Sequence, residues 1–426
     1  MIMNIDLTRN SIVRILGPAR VDVIEGRVLI VGTVYGKGSS IIIHRVRSYG
    51  LKALENTKLR VTLGSGACIE QPSEGEEVID EWLRIAEEVS SSRKRPIVAI
   101  VIGPVESGKT TLTAFLANYM VQKGMKVALV EGDIGQEDLA LPATVAMVIP
   151  RDTFVWQREL NADYFKFIGY TSPQYCYGLI IRALGDLLAK ALSLGVEAVV
   201  INTDGWVNSP QALEYKLSLI RWLKPTHIII LDNNLAEIFK SAIPPQIKVI
   251  KAPRPAKVRK RSREERRKLR SEAYISYFKG AKERVLRIGE VKVIGSCVLS
   301  GKRISLQDLT NDLAISDEVL NSVVYASLYG NIVNIVLSGS AREINISSSR
   351  YELNIVRESD FRGYLVGVLD SKLEDVALGI IKDARFRDEV IKVLTPWDGE
   401  ISALIMGRIK ITSNYEDFVR VGKCVI

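Results

Sequence analysis

The pattern of hydrophobic and polar positions changes twice along the chain. Residues 1–92 contain short β-branched runs separated by glycine, and a helix is predicted at residues 76–89. Examples of these runs are residues 27–32, 40–44 and 59–64. Such runs, bounded by turn residues, are typical of strands. We therefore expect a small N-terminal β domain that ends in a helix and a polar hinge.

From residue 97 onward, apolar strands alternate with segments of helical length, which is typical of a parallel α/β sheet. This pattern predicts a central domain over residues 93–284 that ends in a basic helix at about 254–278. The predicted strands are residues 97–102, 126–130, 198–202, 227–231 and 248–250. The predicted helices are residues 109–122, 174–194 and 210–223.

After residue 289 the chain returns to short strands and turns, in which we find no catalytic motif. The predicted strands there are residues 322–328, 331–337, 363–369 and 401–411. The pattern predicts a second β-rich domain over residues 285–426. The fold class is therefore α/β, with a central parallel-sheet domain between two β-rich domains.

The strongest chemical signal lies between the first central strand and the helix that follows it. Residues 103–110 match the phosphate-binding loop G-x-x-x-x-G-K-[ST] in full, which identifies the central domain as a P-loop NTPase or kinase domain. In such a loop, backbone amides and the helix N-terminus bind phosphate, Lys109 reaches the β- and γ-phosphates, and Thr110 can bind Mg²⁺. The predicted nucleotide-binding residues are Gly103, Pro104, Val105, Glu106, Ser107, Gly108, Lys109, Thr110 and Thr111.

A second signal is acidic and follows the next predicted strand, at Glu131 and Asp133, with Gln136 close behind. A carboxylate at this edge of the sheet can hold Mg²⁺ through water or accept the proton of an attacking hydroxyl group. We predict that Asp133 is the general base. The alternative is an aspartate that only caps a helix or a turn.

Most of the net charge of +9 is concentrated in one segment. Residues 254–270 contain ten basic and two acidic residues, so this segment alone carries +8. Helical spacing places several arginines on one face, where they can clamp phosphates. We predict that Arg266 and Arg270 belong to a lid over the phosphates, although such a run can also be a solvated helix face.

Two shorter segments are ambiguous by themselves. Gly169, Ser172 and Pro173 form a Gly-x-x-Ser-Pro sequence that is also compatible with a simple turn. Trp206 ends the sequence Asn-Thr-Asp-Gly-Trp after a predicted strand. Its indole could pack in the core or stack on a nucleic-acid base.

Composition excludes several other classes of protein. The four cysteines lie far apart without Cys-x-x-Cys spacing, so we expect reduced thiols and neither a disulfide framework nor a zinc site. Histidine-based catalysis is disfavoured because the chain has only His44 and His227. No apolar run is long enough for a membrane span, and the N-terminus lacks a signal-peptide pattern, so we expect a cytoplasmic protein without a membrane partner.

In this order, the motifs resemble those of the polynucleotide 5′-hydroxyl kinases of the mRNA cleavage-factor and pre-rRNA-processing type, with their archaeal relatives. The resemblance implies ATP and Mg²⁺ as cofactors, RNA or DNA with a 5′-hydroxyl end as substrate, and RNA-processing proteins as further partners. The substrate-binding residues it implies are Gln136, Gly169, Ser172, Pro173 and Trp206, and the catalytic residues are Lys109, Asp133, Arg266 and Arg270. The family's acidic motif is Asp-x-Asp-x-Gly-Gln, and this chain departs from it at Glu131.

Three other functions remain open at the level of sequence. The first is a catalytically idle, ATP-bound scaffold subunit of an RNA-processing complex, which would be free to lose Asp133 or the lid arginines. The second is a GTPase-like switch or an assembly ATPase; residues 231–234 lack the lysine of a guanine-reading motif, which counts against GTP. The third is a small-molecule kinase, for which the charge of residues 254–270 would have no evident use.

Overall fold

The computed structural model describes residues 1–45, 47–136, 138–256, 262–305, 313–339, 345–419 and 426. The predicted basic segment at 254–270 therefore lies partly outside the described residues. The chain forms two compact units. The first contains residues 1–140, 145–166 and 172–261, and the second contains residues 141–144, 167–171 and 262–426.

The first unit begins with two antiparallel sheets, as the glycine-separated β-branched runs predict. The sheets have the orders β1-β8-β3-β6 and β5-β4-β7-β2-β9. Their strands are β1 (Ile2–Leu7), β2 (Ile12–Leu16), β3 (Ala19–Glu25), β4 (Arg27–Ile30), β5 (Thr33–Gly36), β6 (Ser40–Ile43), β7 (Ser48–Ala53), β8 (Thr57–Leu63) and β9 (Cys68–Glu70). Alternate residues of β3 and β8 are buried, which is the pattern of strands with one face on a core.

The rest of this unit is built around a seven-stranded sheet of order β13-β12-β11-β14-β10-β15-β16. Its strands are β10 (Ile97–Ile102), β11 (Val127–Gly132), β12 (Thr144–Val148), β13 (Tyr164–Phe167), β14 (Ala198–Thr203), β15 (His227–Ile230) and β16 (Lys248–Lys251). The helices are α1 (Ile79–Ser90), α2 (Lys109–Gln122), α3 (Tyr177–Ser193), α4 (Pro210–Leu223) and α5 (Asn233–Ala242).

The prediction of a parallel sheet is right for five strands and wrong for one edge. β11, β14, β10, β15 and β16 are parallel, and β10 is buried along its whole length. β12, which the sequence pattern did not separate from the loops around it, pairs antiparallel with β11. Because the parallel strands share one carboxyl edge, the loops after β10, β11 and β14 meet there.

The second unit is β-rich, as predicted for the C-terminal part. One sheet has the order β17-β27-β26-β25-β28-β18 with β29 beside β28, another has the order β19-β21-β22-β24, and β20 pairs with β23. The strands are β17 (Lys282–Arg287), β18 (Lys292–Ile294), β19 (Lys302–Arg303), β20 (Ala314–Ile315), β21 (Val323–Tyr329), β22 (Ile332–Leu337), β23 (Ile346–Ser347), β24 (Glu352–Arg357), β25 (Tyr364–Leu369), β26 (Asp375–Arg385), β27 (Val390–Thr395), β28 (Ala403–Ile411) and β29 (Asp417–Val419). Its helices are α6 (Arg263–Tyr277), α7 (Cys297–Ser300) and α8 (Asp317–Ser322).

The predicted basic helix corresponds to α6, which begins later than expected. Ser262 accepts a hydrogen bond from the backbone N–H of Glu265, and the Glu265 carboxylate accepts one from the Ser262 N–H. This reciprocal capping box stabilises the start of the helix at Arg263. The part of the prediction at residues 257–261 lies outside the described residues.

The expectation of reduced cysteines is wrong at one position. Cys297 is disulfide-bonded, whereas Cys68 and Cys176 are free thiols and Cys424 lies outside the described residues. Sequence spacing could not reveal this, because the fold brings remote segments together here: the Ser296 hydroxyl donates to the carbonyl oxygen of Ile426. Within the described residues, no helix has the length and apolar character needed to cross a membrane.

Candidate active site

The phosphate-binding loop lies where its sequence predicts, between β10 and α2 at the carboxyl edge of the sheet. Lys109 is buried, and its ammonium group folds back to donate a hydrogen bond to the Pro104 carbonyl oxygen at 2.8 Å. The Ser107 hydroxyl is also buried and has no hydrogen-bond partner among the described residues. A loop with a buried cation and an unpaired buried hydroxyl group suits an anionic ligand such as phosphate.

Asp133 shares the electrostatic environment of Lys109. Burial raises the pKa of Asp133, and the positive charge of Lys109 opposes that rise. Burial lowers the pKa of Lys109, and the negative charge of Asp133 opposes that change in turn. The Asp133 carboxylate accepts hydrogen bonds from the backbone N–H groups of Gly135 and Gln136, at 3.1 and 3.2 Å. These contacts fix the turn that carries the predicted base.

Glu131 is fully buried behind Asp133 and is held by two donors. The Asn202 amide donates to both carboxylate oxygens at 2.8 and 2.9 Å, and the Asp133 N–H donates at 2.9 Å. Burial and then the nearby Asp133 charge raise the pKa of Glu131. The Asn202 amide also donates to the Thr110 hydroxyl at 3.3 Å. Asn202 thus connects the acidic motif to the phosphate-binding loop, a role that the sequence analysis missed.

One cavity in the first unit brings seven of the nine predicted nucleotide-binding residues together with side chains of residues 14–82. Residues 105–111, Asp133 and Gln136 line one part of it. The other part includes Trp82 and the ion pair of Arg14 with Glu77, whose Nε–Oε1 distance is 2.6 Å. No motif spacing marks these residues, because they approach the loop only through the fold.

A second ion pair lines the same cavity. Arg47 binds Asp138, which also accepts from Arg158 at 2.9 Å. The guanidinium groups of Arg47 and Arg158 lie 4.6 and 5.3 Å from the ring centroid of Trp156. The stacked ring and the ion pair hold Arg47 in the lining of the cavity, and no motif in the sequence indicates this arrangement.

Trp206 is half-buried and stacks on Tyr215, with ring centroids 6.0 Å apart. The buried carboxylate of Asp204 accepts from the Trp206 N–H at 3.0 Å, the Tyr215 hydroxyl at 2.8 Å and the Lys216 ammonium at 2.9 Å. Gly205, between Asp204 and Trp206 in the chain, packs directly against Val105 of the phosphate-binding loop. The segment is therefore in contact with that loop, and Trp206 keeps part of its indole exposed.

The Gly-x-x-Ser-Pro residues are divided between the two units. In the second unit, Gly169 has a φ of +77°, and a Cβ there would lie 2.8 Å from the Cα of Gly407, so glycine is required. In the first unit, Ser172 precedes a short 3-10 helix that begins at Pro173, and its hydroxyl donates to Gln174. Their predicted role in substrate binding stays a prediction.

Arg266 and Arg270 belong to the second unit and both lie on α6. The Arg270 Nε donates to both oxygens of the Asp417 carboxylate at 3.0 and 3.1 Å. Arg267, beside them, binds Glu416 at 2.6 Å. Within its own unit, the helix is thus tied to the start of β29, and the lid function of Arg266 and Arg270 stays a prediction.

The residues around Thr110 also fit Mg²⁺. This ion prefers oxygen ligands and is held in nucleotide sites by few protein groups together with phosphates and water. The Asn202 Oδ1 is buried and has no hydrogen-bond partner within the described residues. Within the described ranges, no group of three or more His, Cys, Asp or Glu side chains could hold a metal ion by itself. The Thr110 hydroxyl, the Asn202 Oδ1 and the Asp133 carboxylate are therefore the oxygens suited to it.

Fold and site together define a P-loop nucleotide-binding protein with an acidic motif at the carboxyl edge of its sheet. Residues 103–280 match the family model of the mRNA cleavage and polyadenylation factor CLP1 P-loop. The match spans the residues that carry the predicted motifs, so the resemblance predicted from the sequence is confirmed.

Relatives and solved structures extend the similarity over most of the chain. A polyribonucleotide 5′-hydroxyl-kinase of Methanocaldococcus jannaschii is 29% identical over 334 residues, which cover 76% of this chain and 90% of the relative. One of Pyrococcus abyssi is 28% identical over 352 residues, covering 80% and 95%. The structure of a Clp1p–Pcf11p complex has a TM-score of 0.65 at 14% identity, covering 96% of this chain and 98% of that chain. The last match concerns the fold alone and confirms the α/β class with its β-rich flanks.

Proposed function

We propose that the protein is an ATP-dependent polyribonucleotide 5′-hydroxyl kinase. The observation that carries this proposal is the convergence of Lys109, Thr110 and Asp133 on one cavity. A phosphate-binding loop alone is compatible with any NTPase, whereas a carboxylate beside it supplies the base that a hydroxyl acceptor needs. The names of the archaeal relatives support the same reaction and the same class of acceptor.

In this proposal the chain positions the reactants and stabilises charge. The phosphate-binding loop orients the triphosphate, and Lys109 leaves the Pro104 carbonyl oxygen to bind the phosphates. Asp133 accepts the proton of the 5′-hydroxyl group as its oxygen attacks the γ-phosphorus and the bond to the β,γ-bridging oxygen breaks. Mg²⁺, held by Thr110, would neutralise charge on the phosphate oxygens. Arg266 and Arg270 are assigned to the γ-phosphoryl group from the resemblance alone.

The acceptor is assigned to polynucleotides on two grounds. The charge of +8 at residues 254–270 exceeds what ATP alone requires, and a nucleic-acid backbone rewards such charge. Trp206 offers a partly exposed ring for base stacking. Gln136, Gly169, Ser172 and Pro173 are the further residues proposed to hold the 5′ end.

The test is transfer of label from γ-labelled ATP to an RNA oligomer with a 5′-hydroxyl end, beside its DNA counterpart and 5′-phosphorylated controls. Lys109→Ala should lower kcat by about 10²–10³-fold, through loss of a phosphate contact. Asp133→Asn should lower kcat by about 10²–10⁴-fold, through loss of the base. Lys123→Ala and Asp186→Asn remove the same charges outside the cavity and should keep the wild-type rate.

The same assay separates the kinase from the idle scaffold. Label on the 5′-hydroxyl oligomers alone, lost in the two cavity variants, supports the kinase. ATP binding without any transfer would instead favour a nucleotide-bound scaffold subunit. Transfer to nucleosides as fast as to oligomers would identify a small-molecule kinase.

A further inference from the structure

The strand order places Asn202 where many P-loop proteins have a metal-binding carboxylate. In these proteins, Mg²⁺ is held by the Ser or Thr of the loop and by an aspartate at the end of another strand. Here β14 lies directly beside β10, and the parallel register aligns Val101 with Asn202. The side chain at this point of β14 is an amide.

The next strand of the sheet supplies a carboxylate at the same level. Glu131 of β11 is in register with Asn202 of β14. Both oxygens of Glu131 accept from the Asn202 Nδ2, at 2.8 and 2.9 Å, and the same nitrogen lies 3.3 Å from the Thr110 hydroxyl oxygen. A single amide group therefore links a buried carboxylate to the hydroxyl group of the phosphate-binding loop.

These contacts determine which way the Asn202 amide faces. If the amide were turned over, its oxygen would lie against two carboxylate oxygens, and acceptors would oppose acceptors. With Glu131 ionised, the nitrogen faces Glu131, as in the structure, and Oδ1 faces away from it. That oxygen has no hydrogen-bond partner in the described part of the chain, although the side chain is only 1% exposed. Buried oxygens of this kind are normally satisfied by a donor, a water molecule or an ion.

We propose that Asn202 Oδ1 accepts a hydrogen bond from a water ligand of the Mg²⁺ ion at Thr110, and that Glu131 is a positioning residue that fixes the orientation of the amide. This inference rests on the proposed function, because it concerns the metal of the same site. It also gives the departure at Glu131 a physical reason. An aspartate would be one methylene shorter, which would lengthen both contacts to Asn202.

The experiment measures binding of Mn²⁺, as a paramagnetic substitute for Mg²⁺, by electron paramagnetic resonance with a non-hydrolysable ATP analogue present. Asn202→Leu preserves the size of the side chain and should weaken Mn²⁺ binding by about 10-fold or more, as losses of supporting metal contacts do. Binding of the analogue without metal should not change. Thr203→Val, on the same strand as Asn202, is the matched control. The Thr203 hydroxyl donates to the Val101 carbonyl oxygen of the neighbouring β10, so Mn²⁺ affinity should stay at the wild-type value.

Two further variants test the positioning role of Glu131. Glu131→Gln presents a side-chain amide to Asn202 and should turn the Asn202 amide over, which weakens Mn²⁺ binding although Asn202 is intact. Combining Glu131→Gln with Asn202→Asp exchanges the carboxylate and the amide between the two strands. This exchange should restore most of the Mn²⁺ affinity, because an amide and a carboxylate again face each other across the two strands.

The outcomes separate this inference from the proposed function. Mn²⁺ affinity within twofold of wild type in folded Asn202→Leu protein would overturn the inference, even if the kinase is active. A failed exchange, with Mn²⁺ affinity no better than in Glu131→Gln, would remove the positioning role. Weaker Mn²⁺ binding in a protein that transfers no phosphate to any oligomer would retain the metal assignment and reject the kinase.

Discussion

The Lys216 ammonium and the Asp204 carboxylate form an ion pair at 2.9 Å in which both side chains are almost completely buried. The same carboxylate binds the hydroxyl group of Tyr215 and the backbone N–H of Trp206. Burial lowers the pKa of Lys216, and the Asp204 charge opposes that shift. This pair anchors the segment that carries Trp206 against the middle of α4.

Removing one partner of this pair should destabilise the protein strongly. Lys216→Met leaves the Asp204 charge buried without its cation, and we expect a loss of about 3 to 5 kcal/mol in the free energy of unfolding. Asp204→Asn together with Lys216→Met removes both charges and should lose much less. Chemical denaturation of the three proteins checks this. A double variant as unstable as the single one would contradict the argument.

The contact between Gly205 and the phosphate-binding loop leads to a second prediction. A Cβ at residue 205 would lie 2.7 Å from the backbone nitrogen of Val105 and 2.9 Å from its Cα, so Gly205→Ala must displace the loop. We expect about a 10-fold rise in the Kd for ATP, because the loop amides lose their alignment on the phosphates. Calorimetric titration with ATP measures this directly.

Gly178→Ala is the matched control, since a Cβ at residue 178 meets nothing within 4 Å and the residue lies inside α3. It should bind ATP with the wild-type Kd and be slightly more stable, because alanine favours the helix. Equal ATP affinities in both variants would show that the loop tolerates the added methyl group.

Those parts of the site that are local in the chain can be predicted from the sequence. Lys109 and Thr110 lie inside one motif of eight residues, and Asp133 follows directly from the end of a strand. The link of Asn202 to Glu131 joins residues 71 positions apart. It depends on two strands being neighbours in the sheet, which no spacing reports.

The same distinction applies to the fold. The buried parallel strands have long apolar runs and were predicted within a few residues of their bounds. β12 lies between two loops and pairs antiparallel with β11, and the hydrophobic periodicity does not distinguish it from those loops. The partner of Arg270, Asp417, is remote in sequence, and an arginine on a charged helix gives no indication that it is tied to a β-rich domain.

A third prediction concerns base stacking by Trp206. Trp206→Ala should raise the Kd for single-stranded RNA by about 5- to 100-fold, since stacking on an aromatic side chain contributes about 1 to 3 kcal/mol per base. The Kd for ATP should change little. Fluorescence anisotropy with a labelled 5′-hydroxyl oligomer gives the RNA affinity.

Trp222→Ala provides the comparison, because Trp222 lies on α4 with 64% of its surface exposed. We expect the wild-type RNA affinity for this variant. If both tryptophan variants lose RNA affinity equally, or if Trp206→Ala mainly loses ATP affinity, Trp206 is not the stacking residue.

A fourth prediction concerns pH and His227 at the start of β15. Burial, and then the ammonium group of Lys248, lower the pKa of His227 from 6.5 to about 4. Between those values the unfolded chain binds a proton that the folded protein does not, so stability is full above pH 6.5 and falls as the pH drops toward 4. After allowance for solvent screening, we expect a contribution of about 1 to 2 kcal/mol.

His227→Gln removes this titration, so the difference in stability between variant and wild type should depend on pH. Denaturation at pH 8 and at pH 4.5 measures that difference in both conditions. The wild type should lose more stability on acidification than the variant does. Parallel losses in the two proteins would show that His227 takes up its proton equally in the folded and unfolded states.

Residues that precede the phosphate-binding loop in the chain line the nucleotide cavity and also contact α2, the helix that follows the loop. The Trp82 indole donates to the Pro253 carbonyl oxygen at 3.0 Å and meets the ring of Phe115 edge-on, while Asn118 of α2 donates to the Val31 carbonyl oxygen at 2.8 Å. A fragment trimmed to residues 103–280 would expose this side of α2 and lose the part of the cavity lined by residues 14–82. The smallest piece of this protein that can be excised and still bind a nucleotide therefore has to include the strands in front of the motif.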